Sequence, residues 1–199
     1  MTTNRRPLNK AVVRCCGDSG DGMQLTGSQF TATAAAIGND LATLPDYPAE
    51  IRAPAGTLFG VSGFQLQFAA QDIRTPGDQP DVLVAMNPAA LKTNLADLKP
   101  GGLLIVNEDA FTKRNLEKAG YETNPLDAEV LMNEYRLHKA ALSTMATQIG
   151  KEAGLGRRDA DRCKNFIALG IAYWLFDRPM DVTEAWIRDK FAGKGDVLD

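Results

Sequence analysis

The chain is patterned as short apolar runs separated by turns rich in glycine and proline, with helical spacing taking over toward its end. Ala11-Val12-Val13-Arg14-Cys15-Cys16 reads as a short buried strand that stops at the glycine-rich loop Gly17-Asp18-Ser19-Gly20-Asp21-Gly22. A helix is predicted from about Met23 to Ile37. Its many small residues (Gly27, Ser28, Ala32, Ala34, Ala35) imply close packing on a sheet, and Gly38-Asn39 closes it. Leu41 to Leu44 is a second strand, and prolines 45, 48 and 54 argue against regular structure from Pro45 through Gly56. Thr57 to Ala70 reads as an extended strand or hairpin broken at Gly60 and Gly63. The clearest strand is Asp81 to Met86. Asn87-Pro88 then opens a helix to about Leu98, and Leu103 to Val106 is a further strand.

Strand, helix and strand in that order form a parallel-sheet pattern. From Leu131 onward the reading is helical, over about Leu137 to Ala153, Asp159 to Phe176 and Val182 to Phe191. The expected architecture is α/β: a mostly parallel sheet flanked by helices, with a helical C-terminal third. Residues 1–10 form a polar tail and residues 11–199 one domain. At 199 residues with 44% apolar content the chain buries roughly 70% of its unfolded surface, which needs no disulfide or structural metal.

The net charge of −3 excludes a general polyanion binder and argues against nucleic acid. The longest apolar run, Phe166 to Phe176, is about half a membrane span, so no membrane insertion is expected. MTTNRRPLNK carries no hydrophobic leader core, which points to the cytoplasm, where Cys15, Cys16 and Cys163 would be reduced thiols. Three cysteines in two places, with no C-x-x-C, cannot supply four thiolates to a cluster or zinc site.

A glycine-rich turn between a strand and its helix leaves N–H groups at a helix N-terminus, which favours phosphate or carboxylate. Gly17, Gly20 and Gly22 are spaced G-x-x-G-x-G, however, where dinucleotide binders use G-x-G-x-x-G. Asp18 and Asp21 would repel an anion unless they point away or pair with a cation. A ligand turn and a purely structural turn both remain open. Gly20-Asp21-Gly22 also matches the start of a thiamine-diphosphate magnesium motif, but no asparagine pair follows it. For a nicotinamide dinucleotide, Asp46 falls where an acid belongs, although a turn residue between prolines is the simpler reading.

Longer motifs add to this. Gly17 through Gly27, Tyr47-Pro48-Ala49-Glu50-Ile51-Arg52-Ala53-Pro54-Ala55-Gly56-Thr57, Gly60-Val61-Ser62-Gly63-Phe64-Gln65, Thr75-Pro76-Gly77-Asp78 and Asp81 through Leu91 resemble the gamma-type domain of the 2-oxoacid:ferredoxin oxidoreductases. The likeness runs from about Val12 to Phe191. It is nearest to the form at the N-terminus of the alpha subunit of 2-oxoglutarate:ferredoxin oxidoreductase. The resemblance implies a Rossmann-like domain of a complex that interconverts a 2-oxoacid and CoA with acyl-CoA, CO2 and reduced ferredoxin. Thiamine diphosphate, its magnesium and the iron-sulfur cluster would belong to partner chains or domains, with thiamine-binding subunits as direct partners and ferredoxin reached through the complex. Alpha subunits of this type continue into a larger thiamine-fold domain, so this chain reads as a separate gamma subunit or a fragment.

On that resemblance no residue here is catalytic and none binds metal. CoA, as substrate, would place its pyrophosphate over Ser19 to Met23, within a set comprising Gly17, Asp18, Ser19, Gly20, Asp21, Gly22, Met23, Arg52 and Asn87. Tyr47, Glu50 and Arg52 would form an interface or active-site wall. Plainer readings stand beside these: a salt bridge for Glu50 and Arg52, and a helix cap for Asn87. His138 reads as a surface residue on a charged helix. Cys15 and Cys16 read as buried inert thiols. The row Phe166, Leu169, Gly170, Tyr173 and Trp174 reads as core or interface. A nicotinamide-dependent dehydrogenase and a noncatalytic assembly scaffold are the rival functions.

Overall fold

The computed structural model describes residues 9–47 and 60–192. Glu50 and Arg52 lie outside the described residues, as do the first eight residues of the expected tail. Among the described residues six strands, β1 (Lys10–Asp18), β2 (Asp40–Asp46), β3 (Val61–Ala69), β4 (Val82–Ala85), β5 (Leu103–Asn107) and β6 (Arg136–Ala140), form one sheet in the order β2-β3-β1-β4-β5-β6. β4 pairs parallel to β1 and to β5, and β5 parallel to β6, while β3 runs antiparallel between β1 and β2. The sheet is thus mostly parallel, with one reversed strand next to its centre.

Helices cover both faces. Alternate residues of the central strands point to opposite sides, so each face has its own core. On one side Ala11, Val13 and Cys15 of β1, Phe64, Leu66 and Phe68 of β3, and Val82 and Val84 of β4 meet α1 (Met23–Ala36) and, later in the chain, α7 (Lys164–Phe176). On the other, Cys16, Leu83, Ala85, Leu104 and Val106 meet α2 (Pro88–Asn94) and Leu131 of α4 (Glu129–Glu134). Two-sided burial explains why β4 and β5 read as unbroken apolar runs. The remaining helices are α3 (Lys113–Lys118), α5 (Leu142–Glu152), α6 (Arg157–Arg162) and α8 (Asp181–Phe191). α8 is held by a buried hydroxyl cluster: Tyr173 Oη lies 2.7 Å from Thr183 Oγ1 and 3.0 Å from Thr33 Oγ1, and donates to Gln29 O at 3.1 Å.

Several expectations need correction. β1 does not stop at Cys16 but runs through Gly17 and Asp18, because β3 supplies ladder partners as far as Asp18↔Val61. Pro45 and Asp46 belong to β2. That strand is the sheet edge, where a missing N–H costs no ladder bond. Gly63 does not break β3, which sits between two partners. Leu137 to Ala140 is not helical. Residues Arg136–Ala140 form the parallel edge strand β6, with only Leu137 and Ala140 partly covered, so the helical third begins at Leu142 and exposed His138 lies on a strand. The predicted helix over 159–176 is two helices meeting at Cys163.

The small residues of α1 do their expected work at Gly27. A Cβ built there would lie 2.1 Å from the Phe64 ring, so the helix approaches β3 closer than any side chain permits. Gly170 of α7, in contrast, has nothing within 4 Å of a built Cβ. Gly27→Ala should therefore cost about 1–3 kcal/mol through forced repacking. Gly170→Ala should add about 0.5–1 kcal/mol by restoring helix propensity. Urea midpoints that move in the same direction for both variants would contradict this packing.

Candidate functional site

The carboxyl ends of β1 and β4 are neighbours, which is where open α/β sheets place ligands. β1 delivers Gly17 and Asp18 to this edge, and the chain turns through Ser19 and Gly20 to α1. Asp21 N donates to Asp18 O and Asp18 N donates to Asp21 Oδ2, each at 2.9 Å, which closes the turn on itself. Gly17 is required because a Cβ there would fall 2.8 Å from Asp21 Oδ2 and 3.0 Å from Met86 Cβ. Gly22, the N-cap of α1, has φ +73°, and a Cβ there would meet Asn165 Nδ2 at 2.5 Å. Gly20 differs from both. It is exposed, its φ is not in the left-handed region, and nothing lies within 4 Å of a built Cβ. Gly17 and Gly22 thus shape the turn, and Gly20 leaves its outer surface open.

The two aspartates are handled differently. Asp21 turns inward. Its Oδ1 pairs with Lys164 Nζ at 3.2 Å, with both side chains largely buried, and Lys164 Nζ also reaches Asp161 Oδ2 at 3.2 Å. Burial disfavours the Lys164 charge, but Asp21 and Asp161 outweigh it and hold the ammonium above its ordinary pKa. Asp18 remains at the surface of the turn. Its carboxyl is pushed above the usual range, first by desolvation and then by the Asp21 charge, against the opposing pull of Asn87, Lys164 and Lys118. Asn87 does two jobs. Its Oδ1 caps α2 by accepting from Ala90 N at 2.8 Å, and its Nδ2 donates to Asp18 Oδ1 at 2.8 Å and Asp21 Oδ2 at 3.4 Å.

Of the residues expected at the site, Gly17, Asp18, Ser19, Gly20, Asp21, Gly22 and Asn87 are brought together, with Ser19 and Gly20 at the exposed tip. Met23 is 1% exposed and belongs to the core. Tyr47 lies just beyond the end of β2 and is 68% exposed. Lys164 and Asn165 were missed, since α7 lies over 140 residues later in the chain. Asn165 is 5% exposed, and its Oδ1 is buried beside the turn with no protein partner. Cys15 and Cys16 end in opposite cores, and burial pushes the Cys15 thiol up to about 12 and Cys16 higher still. Among the described residues no three His, Cys, Asp or Glu side chains are grouped to hold a metal ion. None of the described helices is long and apolar enough to cross a membrane.

The strand order argues against a dinucleotide site. Asp46 ends β2, which is separated from β1 by the reversed β3, so it is not on the strand adjacent to β1 from which a dinucleotide site takes its ribose ligand. A family model described as pyruvate ferredoxin/flavodoxin oxidoreductase matches residues 12–199. The chain belongs to that family. Within the pyruvate ferredoxin/flavodoxin oxidoreductase family it is 55% identical over 196 residues to the 2-oxoglutarate oxidoreductase subunit KorA of Mycobacterium tuberculosis (strain ATCC 25618 / H37Rv). That match covers 98% of this chain but only 30% of the relative.

Solved structures share the fold. The 2-oxoglutarate:ferredoxin oxidoreductase from Magnetococcus marinus, with 2-oxoglutarate, coenzyme A and succinyl-CoA bound, superposes with a TM-score of 0.70 at 24% identity, over 94% of this chain and 28% of that one. A keto/oxoacid ferredoxin oxidoreductase gamma subunit from Geobacter sulfurreducens PCA gives 0.59 at 23% identity, over 90% and 85% of the two chains. The pyruvate oxidoreductase subunit PORC from Thermotoga maritima gives 0.61 at 18%, over 96% and 90%.

A titration follows from the Asp18 environment. A carboxyl whose folded pKa is raised makes the folded state lose stability as pH climbs from the ordinary carboxylate value through the raised one. Asp18→Asn keeps an oxygen for the Asn87 hydrogen bond and removes the charge. It should equal the wild type at acid pH and gain on it through that window, with a constant advantage above. Urea unfolding as a function of pH checks this, and a variant that loses ground as pH rises would reverse the assignment.

Proposed function

We propose that this chain forms the CoA-side wall of a 2-oxoglutarate:ferredoxin oxidoreductase, as a gamma-type subunit or as part of a longer alpha subunit. The observation that carries the reading is the 55% identity to a 2-oxoglutarate oxidoreductase subunit across 98% of the chain. A structural neighbour that binds 2-oxoglutarate and CoA supports it. The complex would interconvert 2-oxoglutarate and CoA with succinyl-CoA, CO2 and reduced ferredoxin.

The described residues do not fit the redox and thiamine groups of such an enzyme. Asp21 is committed to Lys164 and to the Asp18 N–H, so it offers no carboxylate to a magnesium ion. Cys15 and Cys16 are buried thiols held protonated. Thiamine diphosphate and the iron-sulfur cluster are therefore assigned to partner chains or domains, and this chain's own contribution is binding. No side chain caps the N-terminus of α1, and the surface over Gly20 is open, so its N–H groups suit a phosphate. Because Lys164 is already shared by Asp21 and Asp161, the counter-charge for that phosphate must come from elsewhere. We assign it to Arg52.

Gly20→Val is the clean probe of this turn, since a Cβ there meets nothing in the protein. In the assembled enzyme Gly20→Val and Arg52→Ala should both raise the apparent KM for CoA far more than that for 2-oxoglutarate. Arg52→Ala should cost about 1.5–3 kcal/mol of CoA binding through a lost charge-assisted hydrogen bond. Asp18→Asn should lower the same KM by removing a like charge. Equal effects on both substrates, or none on CoA, would leave the turn as architecture and favour the assembly-scaffold reading. The purified chain alone should show no 2-oxoacid oxidation with a viologen acceptor until its partners are added.

A further inference from the structure

α1 begins without a side-chain cap, although two acids stand close enough in the chain to supply one. Asp21 immediately precedes the Gly22 cap position and Asp18 lies three residues before it, whereas the first turn of α1 holds no acid of its own. A carboxylate at a helix N-terminus is favoured twice over, as an acceptor for the first N–H groups and by the helix dipole. Both carboxylates are nevertheless held elsewhere. Asp18 Oδ1 accepts from Asn87 Nδ2. Asp21 is drawn inward by Lys164, the first residue of α7, whose Nζ lies 3.2 Å from Asp21 Oδ1 and 3.2 Å from Asp161 Oδ2 near the end of α6. The next residue, Asn165, packs its buried amide against the cap position itself: a Cβ on Gly22 would meet Asn165 Nδ2 at 2.5 Å, and Asn165 Oδ1 is buried without a partner. Two successive residues at the start of α7 therefore grip the turn from its inner side. A largely buried ammonium is costly by itself, so its placement here follows from the carboxylates that it holds.

We propose that Lys164 is a positioning residue that keeps Asp21 from capping α1. While Asp21 is bound to the ammonium, the first N–H groups of α1 face the open surface at Gly20 and remain available to a phosphate. Released, the carboxylate turns outward, accepts those N–H groups itself and competes with the ligand for them. Lys164 touches no ligand and acts through Asp21. This inference rests on the reading of the turn as the CoA phosphate site.

The test uses the assembled enzyme. Lys164→Met keeps an unbranched stem and removes the cation. It should raise the apparent KM for CoA by about threefold to thirtyfold, the range for a carboxylate competing at a helix N-terminus, with kcat and the KM for 2-oxoglutarate within about twofold of the wild type. Asp21→Asn added to Lys164→Met leaves a neutral amide, which tolerates burial without a cation and still offers an oxygen to the Asp18 N–H. The double variant should return the CoA term to within about twofold. Where Gly20→Val raises the CoA term, three results would overturn the proposal: no effect of Lys164→Met on CoA, equal effects on both substrates, or a double variant no better than Lys164→Met. Should Lys164→Met not assemble, the double variant decides: assembly with a CoA term within about twofold of the wild type upholds the proposal, and no assembly or a raised CoA term overturns it. If Gly20→Val leaves the CoA term unchanged, it is the CoA reading that fails. Lys164 is then judged by hydrogen exchange at Asp18, whose N–H donates to Asp21. Several-fold faster exchange in Lys164→Met, restored in the double variant, upholds positioning, and an unchanged rate overturns it.

Discussion

The carboxylate of Asp21 is the point on which the site depends. Its Oδ2 accepts the Asp18 N–H and the edge of Asn87, and its Oδ1 pairs with Lys164, so one side chain joins the end of β1, the start of α2 and the start of α7. A largely buried carboxylate is tolerated only when paired and hydrogen-bonded, and each of these partners also removes an acid from the path of a ligand. The inward turn of Asp21 in turn demands a glycine at position 17, because the carboxylate occupies the space a Cβ would need. What remains outward is Ser19 and Gly20, a short stretch of open backbone before an uncapped helix. An acidic-looking motif thereby becomes a surface with the Asp18 carboxylate at its rim, held by the Asn87 amide.

The second organising feature is the reversed strand β3. It separates β2 from β1 and is buried along nearly its whole length, although it carries Ser62, Gln65 and Gln67. Gln65 is satisfied at both ends: its Oε1 accepts from Arg14 Nε at 2.8 Å, and its Nε2 donates to Gly77 O at 2.6 Å and Pro76 O at 3.0 Å. Arg14 goes on to Asn94 and Asp97, which binds the far side of the sheet to the end of α2. This polar interior fixes β3 in register and so fixes where the β2–β3 connection emerges. The two ends of that connection, Asp46 and Gly63, lie level with Cys16, just before the glycine turn at the carboxyl end of β1.

Much of this was legible in the chain. The apolar runs of β4 and β5, the Asn87-Pro88 helix start and the small-residue helix α1 all follow from local chemistry, since burial on both faces, capping and close packing each leave a mark in neighbouring residues. Long motifs from Gly17 to Leu91 pointed to the family through the identity and order of their residues alone. By themselves, however, these residues could not say which way Asp21 points or whether the glycines are equivalent. Those answers depend on Lys164 and Asn165, which arrive on α7 more than 140 residues later. Arg136 to Ala140 read as helix because a charged, half-exposed edge strand has no apolar run to announce it, and only the open side of β5 makes it a strand. Pro45 was admitted to β2 because that strand lies at an edge, a property of the assembled sheet. Periodicity and motif thus determined which elements exist and what family they serve. Sheet order and the contacts between distant helices decided which backbone stays open to a ligand, because burial, pairing and edge position exist only once the elements have met.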